Sequence, residues 1–357
     1  MKTGARDLAD AHLGWLDGAG EYSDIVISCR VRLARNLSDF VFAWRASPET
    51  LHSIADAFRL SISAGEIPDL SESLVIDSLD PLARGILVEK HLISPALARG
   101  GPGREVAISG SGDLSVMVNE EDHIRIQAFC DGLGVRDAWE NARKIDQVLE
   151  ESGYAFDGKS GFLTTCPTNI GTGLRASVMV HLPALSVLRK MGKIVADCGR
   201  IGLTVRGMFG EGSDSAGSLF QISNQVTLGQ TEEELLDKVA GAASGLVIQE
   251  RDARTRLSDV KGAELEDKAW RAWGLLRYAR SVDRRESLEL LSLARMCSST
   301  GILPKVPSGT WNRLLMDVQQ AHIQARADHV LDAAELNQGR SDVLRRLFDS
   351  FPENGSI

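Results

Sequence analysis

The chain has 357 residues, with 40 Lys and Arg against 49 Asp and Glu, a formal net charge of −9. That length fits two domains, or one large domain with an appendage; the 43% apolar fraction supports a sizeable core, and the acidic balance argues against a general nucleic-acid binder, which needs a basic face. The five cysteines, Cys29, Cys130, Cys166, Cys198 and Cys297, lack CxxC spacing, and neither a signal peptide nor a membrane-length apolar run is present, so reduced thiols in a cytoplasmic protein are expected.

Residues 24–33 alternate Ile25, Ile27, Cys29, Val31 and Leu33 with Val26, Ser28, Arg30 and Arg32, a period of two that predicts a strand with both arginines on one face. Apolar residues at helical spacing predict helices over 48–64, 82–93 and 135–152. Between them, Leu114, Val116 and Val118 alternate, as do Ile124, Ile126 and Ala128. The polar turn Asn119-Glu120-Glu121-Asp122 joins the two runs into an expected antiparallel hairpin. Further short strands are expected at 161–165, 177–181, 194–197 and 203–206, with a mobile glycine-rich loop over 207–217. Thr231 before Glu232-Glu233-Glu234 reads as a helix N-cap. From there to Phe348 the pattern is helical, with breaks near Gly262, Gly301–Pro304 and Pro307–Gly309. The fold class is therefore α+β: an antiparallel sheet flanked by helices over residues 1–257, then an all-helical domain over 258–357.

Gly153-Tyr154-Ala155-Phe156-Asp157-Gly158-Lys159-Ser160 spells a Walker A motif. A phosphate-binding P-loop needs a strand before it and a helix after it. The expected order here is the reverse, so this stretch reads as a helix-to-strand turn. A different anion site is suggested by Arg30, Arg32, Arg125, Arg175 and Arg206, which sit on strand-like runs or in polar loops. Each alone reads as a surface or salt-bridging arginine. Together, inside one domain, they suggest a polyanion cage, because guanidinium forks match phosphate oxygens and stay charged.

Glu120-Glu121 before Arg125 is either a solvated hairpin tip or a carboxylate beside that cage, placed to orient a nucleophile or take its proton. Glu211 in the glycine-rich loop is a second such carboxylate. Two carboxylates would grip a planar guanidinium, a nucleophile that has to be held and deprotonated as it attacks. Cys166 is either a small buried residue or a thiolate beside a cationic substrate. A covalent thiol mechanism would want a histidine, and nothing in the spacing of His91, His123 or His181 marks a partner. No HExxH-type metal pattern occurs among the seven histidines.

The segment Cys166-Pro167-Thr168-Asn169-Ile170-Gly171-Thr172-Gly173-Leu174-Arg175-Ala176-Ser177-Val178 resembles the signature of the phosphagen (guanidino) kinase family. Ser28–Arg32 is similar to that family's first nucleotide strand, Val118–Arg125 to its catalytic-glutamate segment, and Arg206–Glu211 with Ile222-Ser223-Asn224 to its flexible loop. Metabolic members carry a helical N-terminal domain before the nucleotide strand, which here begins near residue 24, and a helical tail follows instead. That arrangement resembles the bacterial protein-arginine kinases, as do Glu89–Pro95, Glu289–Ser292 and Ala321–Gln324.

The resemblance implies transfer of the ATP γ-phosphoryl group to arginine side chains of proteins, in protein quality control and stress response. The alternatives are a metabolic kinase acting on free arginine or another small guanidine, and a catalytically dead phosphoarginine-binding adaptor. The resemblance implies ATP contacts at Ser28, Cys29, Arg30, Val31, Arg32, His91, Arg125, Arg175, Ala176, Ser177, Val178, Met179, Arg206, Gly207, Met208, Phe209, Gly210 and Glu211. It implies Glu121 as base or guanidinium clamp, Glu211 as second clamp, Cys166 beside the substrate, and no direct protein ligand to Mg²⁺, with Glu120 reaching it through water. Implied partners are arginine-containing proteins, a zinc-binding activator, a Clp-type chaperone or protease, and a second copy of the chain; nucleic acid and membrane are not among them. The related kinases carry an Arg-Asp-x-x-Arg-Ala motif that binds phosphoarginine. The nearest match here, Leu336–Ser341, keeps only Arg340 of its core, so phosphoarginine feedback is expected to be weak or absent.

Overall fold

The alternating stretch that begins near residue 24 becomes β1 (Val26–Arg35), in the middle of the main sheet. The computed structural model describes residues 4–64, 67, 69–70, 72–208 and 215–351. Before β1 lies the short helix α1 (Ala5–Asp10). After it come α2 (Pro48–Ser63), β2 (Ser73–Val75), α3 (Pro81–Glu89), β3 (Glu105–Ile108), β4 (Leu114–Val118), β5 (Ile124–Asp131) and α4 (Val135–Glu150). The sheet-bearing half continues with β6 (Phe156–Asp157), β7 (Gly161–Phe162), β8 (Leu174–His181), α5 (Pro183–Val187), α6 (Met191–Arg200), β9 (Leu203–Gly207) and β10 (Leu219–Asn224). The rest is helical: α7 (Glu232–Tyr278), α8 (Arg284–Ser299), α9 (Ser308–Asp317), α10 (Gln320–Gln324) and α11 (Ala333–Phe348).

Among the described residues, eight strands form one antiparallel sheet in the order β2-β3-β4-β5-β1-β8-β10-β9, and β6 and β7 form a separate small hairpin. Because side chains alternate across a strand, the register sorts residues onto two faces. Cys29, Val31 and Leu33 of β1 share a fully buried face with Ile126 and Ala128 of β5 and with Ala176 and Val178 of β8. The helices α4 and α7 pack over the sheet, and their buried stripes, such as Ala138, Ala142 and Ile145, enter the same core. The other face carries Ser28, Arg30 and Arg32 with their cross-strand neighbours, and it is polar.

Local signals explain most element ends. Thr231 caps α7 as expected: its hydroxyl accepts from Glu234 N while Glu234 Oε2 accepts from Thr231 N. Ser47 and Asp80 cap α2 and α3, each followed by proline at the first helical position. The expected break near Gly262 is a kink at Lys261 (φ −128°, ψ 25°), where two helical arms of α7 meet. Gly301, Pro304 and Pro307 do separate α8 from α9.

Two expectations need correction. Residues 194–197 are helix, not strand: Met191, Ile194 and Cys198 of α6 form a buried stripe at helical spacing, which outweighs the β-branched Ile-Val pair. The strand expected at 161–165 is confined to Gly161–Phe162, paired with β6 and joined to Gly171 by a single bridge. The side chains of Cys29, Val31, Ala176 and Val178, expected at the nucleotide, point into the core, which leaves their backbone for such contacts. The Walker-like stretch leads from α4 into β6 and the tight turn before β7, where Asp157 Oδ1 accepts from Lys159 N and Ser160 N.

Candidate active site

The register gathers the arginines. Arg32 of β1 pairs directly with Arg175 of β8, Arg125 of β5 pairs with Ala34 two residues along, and Arg30 pairs with Ser177. Cross-strand partners share a face, so all four guanidinium groups lie on the polar side. Arg206 of β9 sits opposite Gln221, which in turn pairs with Met179 of β8. Arg206 is exposed at the far edge.

These charges are poorly matched by the protein. Among the described residues, Arg32 Nε and Arg175 Nε are buried without a hydrogen-bond partner, and Arg175 Nη2 donates to Ser223 Oγ at 3.3 Å. Arg30 makes one long bond to Gln127 Oε1 (3.4 Å) and lies over the Phe129 ring. Burial, reinforced by its arginine neighbours, lowers Arg30 to about 10 and pushes Arg32 well below its ordinary value. Arg175 is lowered by burial and by Arg206 and Arg125. His91, beside Arg30, is held near 3 by burial and that charge, so it is neutral, and its Nε2 is also buried and unpartnered. Orphaned donors and mutually repelling cations are expensive in a folded protein. A bound polyanion would supply the missing acceptors and opposite charge at once.

The acidic turn faces this cluster. Arg125 forms ion pairs with both Glu120 and Glu121, the second at 3.1 Å. Glu120 is nearly buried and also accepts from Ser94 Oγ at 2.8 Å, whereas 41% of the Glu121 side chain is exposed. Ser94 belongs to the Glu89–Pro95 segment, so that segment reaches the site. At its other end, Glu89 accepts from Ala321 N, His322 N and His322 Nδ1, which joins it to α10 and to the Ala321–Gln324 segment.

Cys166 lies across a polar cavity of about 240 Å³ whose wall includes Arg32, Glu121, Arg125, Cys166 and Arg175. Its thiol is 3.0 Å from Thr168 Oγ1. Asp122 fixes the distance between thiol and carboxylate: this fully buried carboxylate accepts from Asn36 Nδ2 and from Thr165 N, each at 2.7 Å. One side chain thereby joins the turn holding Glu121 to the loop holding Cys166. Thr227 Oγ1 clamps the same loop through Thr168 O and Ile170 O. Arg35 holds its end by donating to Thr172 O while forking onto Asp146. Gly173 has to be glycine there: its φ is +63°, and a Cβ would meet Arg35 Nη1 at 2.5 Å.

Of the residues singled out from sequence, Arg30, Arg32, His91, Arg125, Arg175, Glu120, Glu121 and Cys166 come together. Ser28, Ser177 and Met179 follow on the same face of the sheet. Gly207 and Met208 lie beyond Arg206 at its edge. Phe209, Gly210 and Glu211 lie outside the described residues. Asp122, Asn36, Ser94 and Arg35 were not singled out. The only signal for them was polarity beside a strand end, which most surface turns share. Arg340, the remnant of the phosphoarginine motif, is buried and donates to Val318 O, Val282 O and Asn337 Oδ1.

Residues 55–253 match the family described as ATP:guanido phosphotransferase, C-terminal catalytic domain. Residues 262–356 match the Protein-arginine kinase McsB C-terminal domain. Similar sequences include the protein-arginine kinase of Syntrophomonas wolfei, 41% identical with 94% of this chain and 95% of the relative covered. Those of Pelotomaculum thermopropionicum (40%; 96% and 98% covered) and Symbiobacterium thermophilum (42%; 93% and 95% covered) are comparable. Among solved structures, a lombricine kinase shares the fold at a TM-score of 0.57 and 24% identity, covering 69% of this chain and 70% of its own. A duplicated taurocyamine kinase from Schistosoma mansoni also has a TM-score of 0.57, at 25% identity, covering 78% of this chain and 41% of its own. A cage of under-partnered arginines facing an acidic turn is thus built on a sheet shared with guanidino kinases, and the chain belongs to the ATP:guanido phosphotransferase family, with the C-terminal domain of its protein-arginine kinase branch.

Proposed function

We propose that this enzyme is an ATP-dependent protein-arginine kinase, transferring the γ-phosphoryl group to a guanidino nitrogen of arginine in a protein. The observation that carries the reading is the single cavity on which Arg32, Arg125 and Arg175 converge with Glu121 and Cys166. Arg30, Arg32, Arg125, Arg175 and Arg206 take the phosphate oxygens, which relieves the orphaned donors and the mutual repulsion. Glu121 holds the target guanidinium through its N–H groups, with Cys166 on its flank. As nitrogen attacks, the N–P bond forms, the bond from the γ-phosphorus to the bridging oxygen breaks, ADP leaves, and Glu121 accepts the guanidinium proton.

Among the described residues no cluster of three or more His, Cys, Asp or Glu side chains gathers to bind a metal. The carboxylates nearest the phosphates, Glu120 and Glu121, already face Arg125. On this reading Mg²⁺ is held chiefly by the nucleotide, with Glu120 as its water-mediated neighbour. Bound there, the ion adds charge neutralisation on the phosphates.

The same relatedness supports a cytoplasmic homodimer joined through the helical region and working with a zinc-binding activator and a Clp-type chaperone or protease. It also supports a role in stress response. Among the described residues no helix is long and apolar enough to cross a membrane.

Incubation with Mg-ATP and either free arginine or an unfolded arginine-rich protein tests the reading. Acid-labile phosphate on the protein is the expected result. Label on free arginine alone would identify a metabolic guanidino kinase, and no label on either would leave a binding adaptor.

A further inference from the structure

At the end of α3 lies a second polar cavity, of about 220 Å³, that the proposed reaction does not use. Its wall brings together Asp10 and His12 from α1 and the chain after it, Lys90 at the end of α3, Arg313 and Asp317 of α9, and His322 of α10. It shares no wall residue with the cavity of Glu121 and Cys166, and none with Leu336–Ser341. Two of its buried side chains are under-partnered. Lys90 is only 2% exposed, and its ammonium donates to Ala11 O at 2.6 Å. Burial lowers it to about 8, against the pull of Asp317 and Asp10. His322, with 1% of its side chain exposed, gives Nδ1 to Glu89 Oε2 at 2.7 Å. Its Nε2 is buried with no hydrogen-bond partner among the described residues.

Lysine is rarely buried without a partner, and an orphaned buried nitrogen destabilises the fold. The wall's other charges leave both in need. Asp317 is bonded to Arg326 at 2.6 Å, His12 faces Asp17 at 3.3 Å, and Asp10 is exposed. Arg313 is exposed and forms no ion pair among the described residues. The pattern of donors and acceptors selects the occupant. A carboxylate only accepts, so the proton on His322 sits at Nδ1, toward Glu89, and the neutral ring offers Nε2 as an acceptor. Lys90 and Arg313 offer only donors. A phosphate with one protonated oxygen answers all three: it accepts from the two cations and donates to the imidazole. When the ring is charged, the same phosphate accepts from Nε2 instead. A carboxylate ion has no proton to give. The cavity takes an ion of this size and lies below the roughly 300 Å³ where ordinary ligand pockets begin.

We propose that Lys90, Arg313 and His322 form a second anion site, separate from the arginine cage, for a phosphate that is free in solution or carried as a small monoester. The site stands apart from the kinase reading, because the two cavities have no residue in common. It does abut the cage along the chain: His91, the residue after Lys90, turns back in the left-handed region (φ +59°) to lie beside Arg30.

The test uses the full-length protein with its histidine rings labelled for nitrogen NMR. It is titrated at fixed pH and ionic strength with inorganic phosphate, glycerol 3-phosphate or acetate. The His322 signals are those missing from His322→Gln. Inorganic phosphate or glycerol 3-phosphate is expected to shift the Nε2 resonance saturably, and the tighter of the two names the source. Arg313→Ser, a change at an exposed position, weakens that binding about tenfold, and Lys90→Met weakens it by about thirtyfold or more. Arg175→Gln, in the cage, leaves the titration as it is. The proposal is overturned if neither phosphate shifts the resonance, or if acetate saturates it as tightly. It is also overturned if Arg313→Ser binds as wild type does, a result that decides the matter even where Lys90→Met fails to fold. Loss of the response in Arg175→Gln would place the phosphate in the cage and overturn it too.

Discussion

Replacing Arg32 with Met should make the nucleotide-free protein more stable and nearly abolish its affinity for ATP. Arg32 Nε is buried without an acceptor, Arg175 lies directly across the sheet, and Arg30 lies two residues away on the same face. An unsatisfied buried donor costs about 1–3 kcal/mol. Met keeps the length of the side chain and removes both the donor and the charge. A net stabilisation of about 1–2 kcal/mol is expected without nucleotide. Losing the charge-assisted bonds to phosphate should weaken ATP binding by about 2–4 kcal/mol, roughly 30- to 1000-fold in Kd. Urea unfolding with and without Mg-ATP reads both effects, provided the slope is unchanged. Wild type gains about 2.7 kcal/mol at a nucleotide concentration of 100 Kd. At the same concentration the variant gains about 0.9 kcal/mol for a 30-fold loss and under about 0.1 kcal/mol for a 1000-fold loss, so its lead is largely cancelled or reversed when ATP is added. A nucleotide-free variant more than about 1 kcal/mol less stable than wild type, or one that binds ATP normally, would refute the picture of an under-partnered cage.

Glu121→Gln should lower kcat by about 10²–10⁴-fold with little change in ATP affinity, measured by phosphoarginine formation and calorimetry; equal losses in both would mean that Glu121 only supports the cage. Glu250, fully buried, accepts from Ala184 N, Leu185 N and Arg254 Nε, while Arg254 Nη2 is already unpartnered. Glu250→Ala is expected to cost about 3–5 kcal/mol in urea unfolding, and a cost under 1 kcal/mol would contradict the buried-pair reading. His91 is neutral in the folded protein down to about 3, against an ordinary 6.5. The unfolded chain therefore binds a proton first as pH falls, and stability is lost between about 6.5 and 3 at up to about 1.4 kcal/mol per pH unit. His91→Asn should flatten that slope in acid unfolding; an unchanged slope would exonerate His91. Arg340 donates to two backbone carbonyls and Asn337, so phosphoarginine-peptide binding to the whole protein in the helical region should be weak. Tight saturable binding lost in Arg340→Lys would overturn that expectation.

The strands that frame the site were legible because alternation is a local property. β1, β4 and β5 run where the period of two runs, and the acidic turn falls between β4 and β5. The strand order was not legible, since nothing in the residues of β1 says that β5 and β8 flank it. The same limit explains why a contiguous stretch such as Ser28–Arg32 was assigned to the nucleotide as a block: in a strand every second residue turns away, so Cys29 and Val31 belong to the core. Asp122 escaped notice for a related reason. Its partners, Asn36 and Thr165, are 86 and 43 residues away, and a carboxylate reads as solvated until its distant donors are known.

The helix α7 runs past the expected boundary at residue 257 and kinks at Lys261, so its two arms meet four residues beyond that boundary. Leu235, Val239 and Leu246 on its first half share one continuous apolar cluster with Leu265, Trp273 and Leu276 on its second half and with Leu288 and Leu291 of α8. The helical region and the sheet are therefore coupled through shared apolar packing across the kink. Opening the helical region exposes residues that also cover the sheet, so damage beyond the kink lowers the stability of the scaffold that carries the arginine cage.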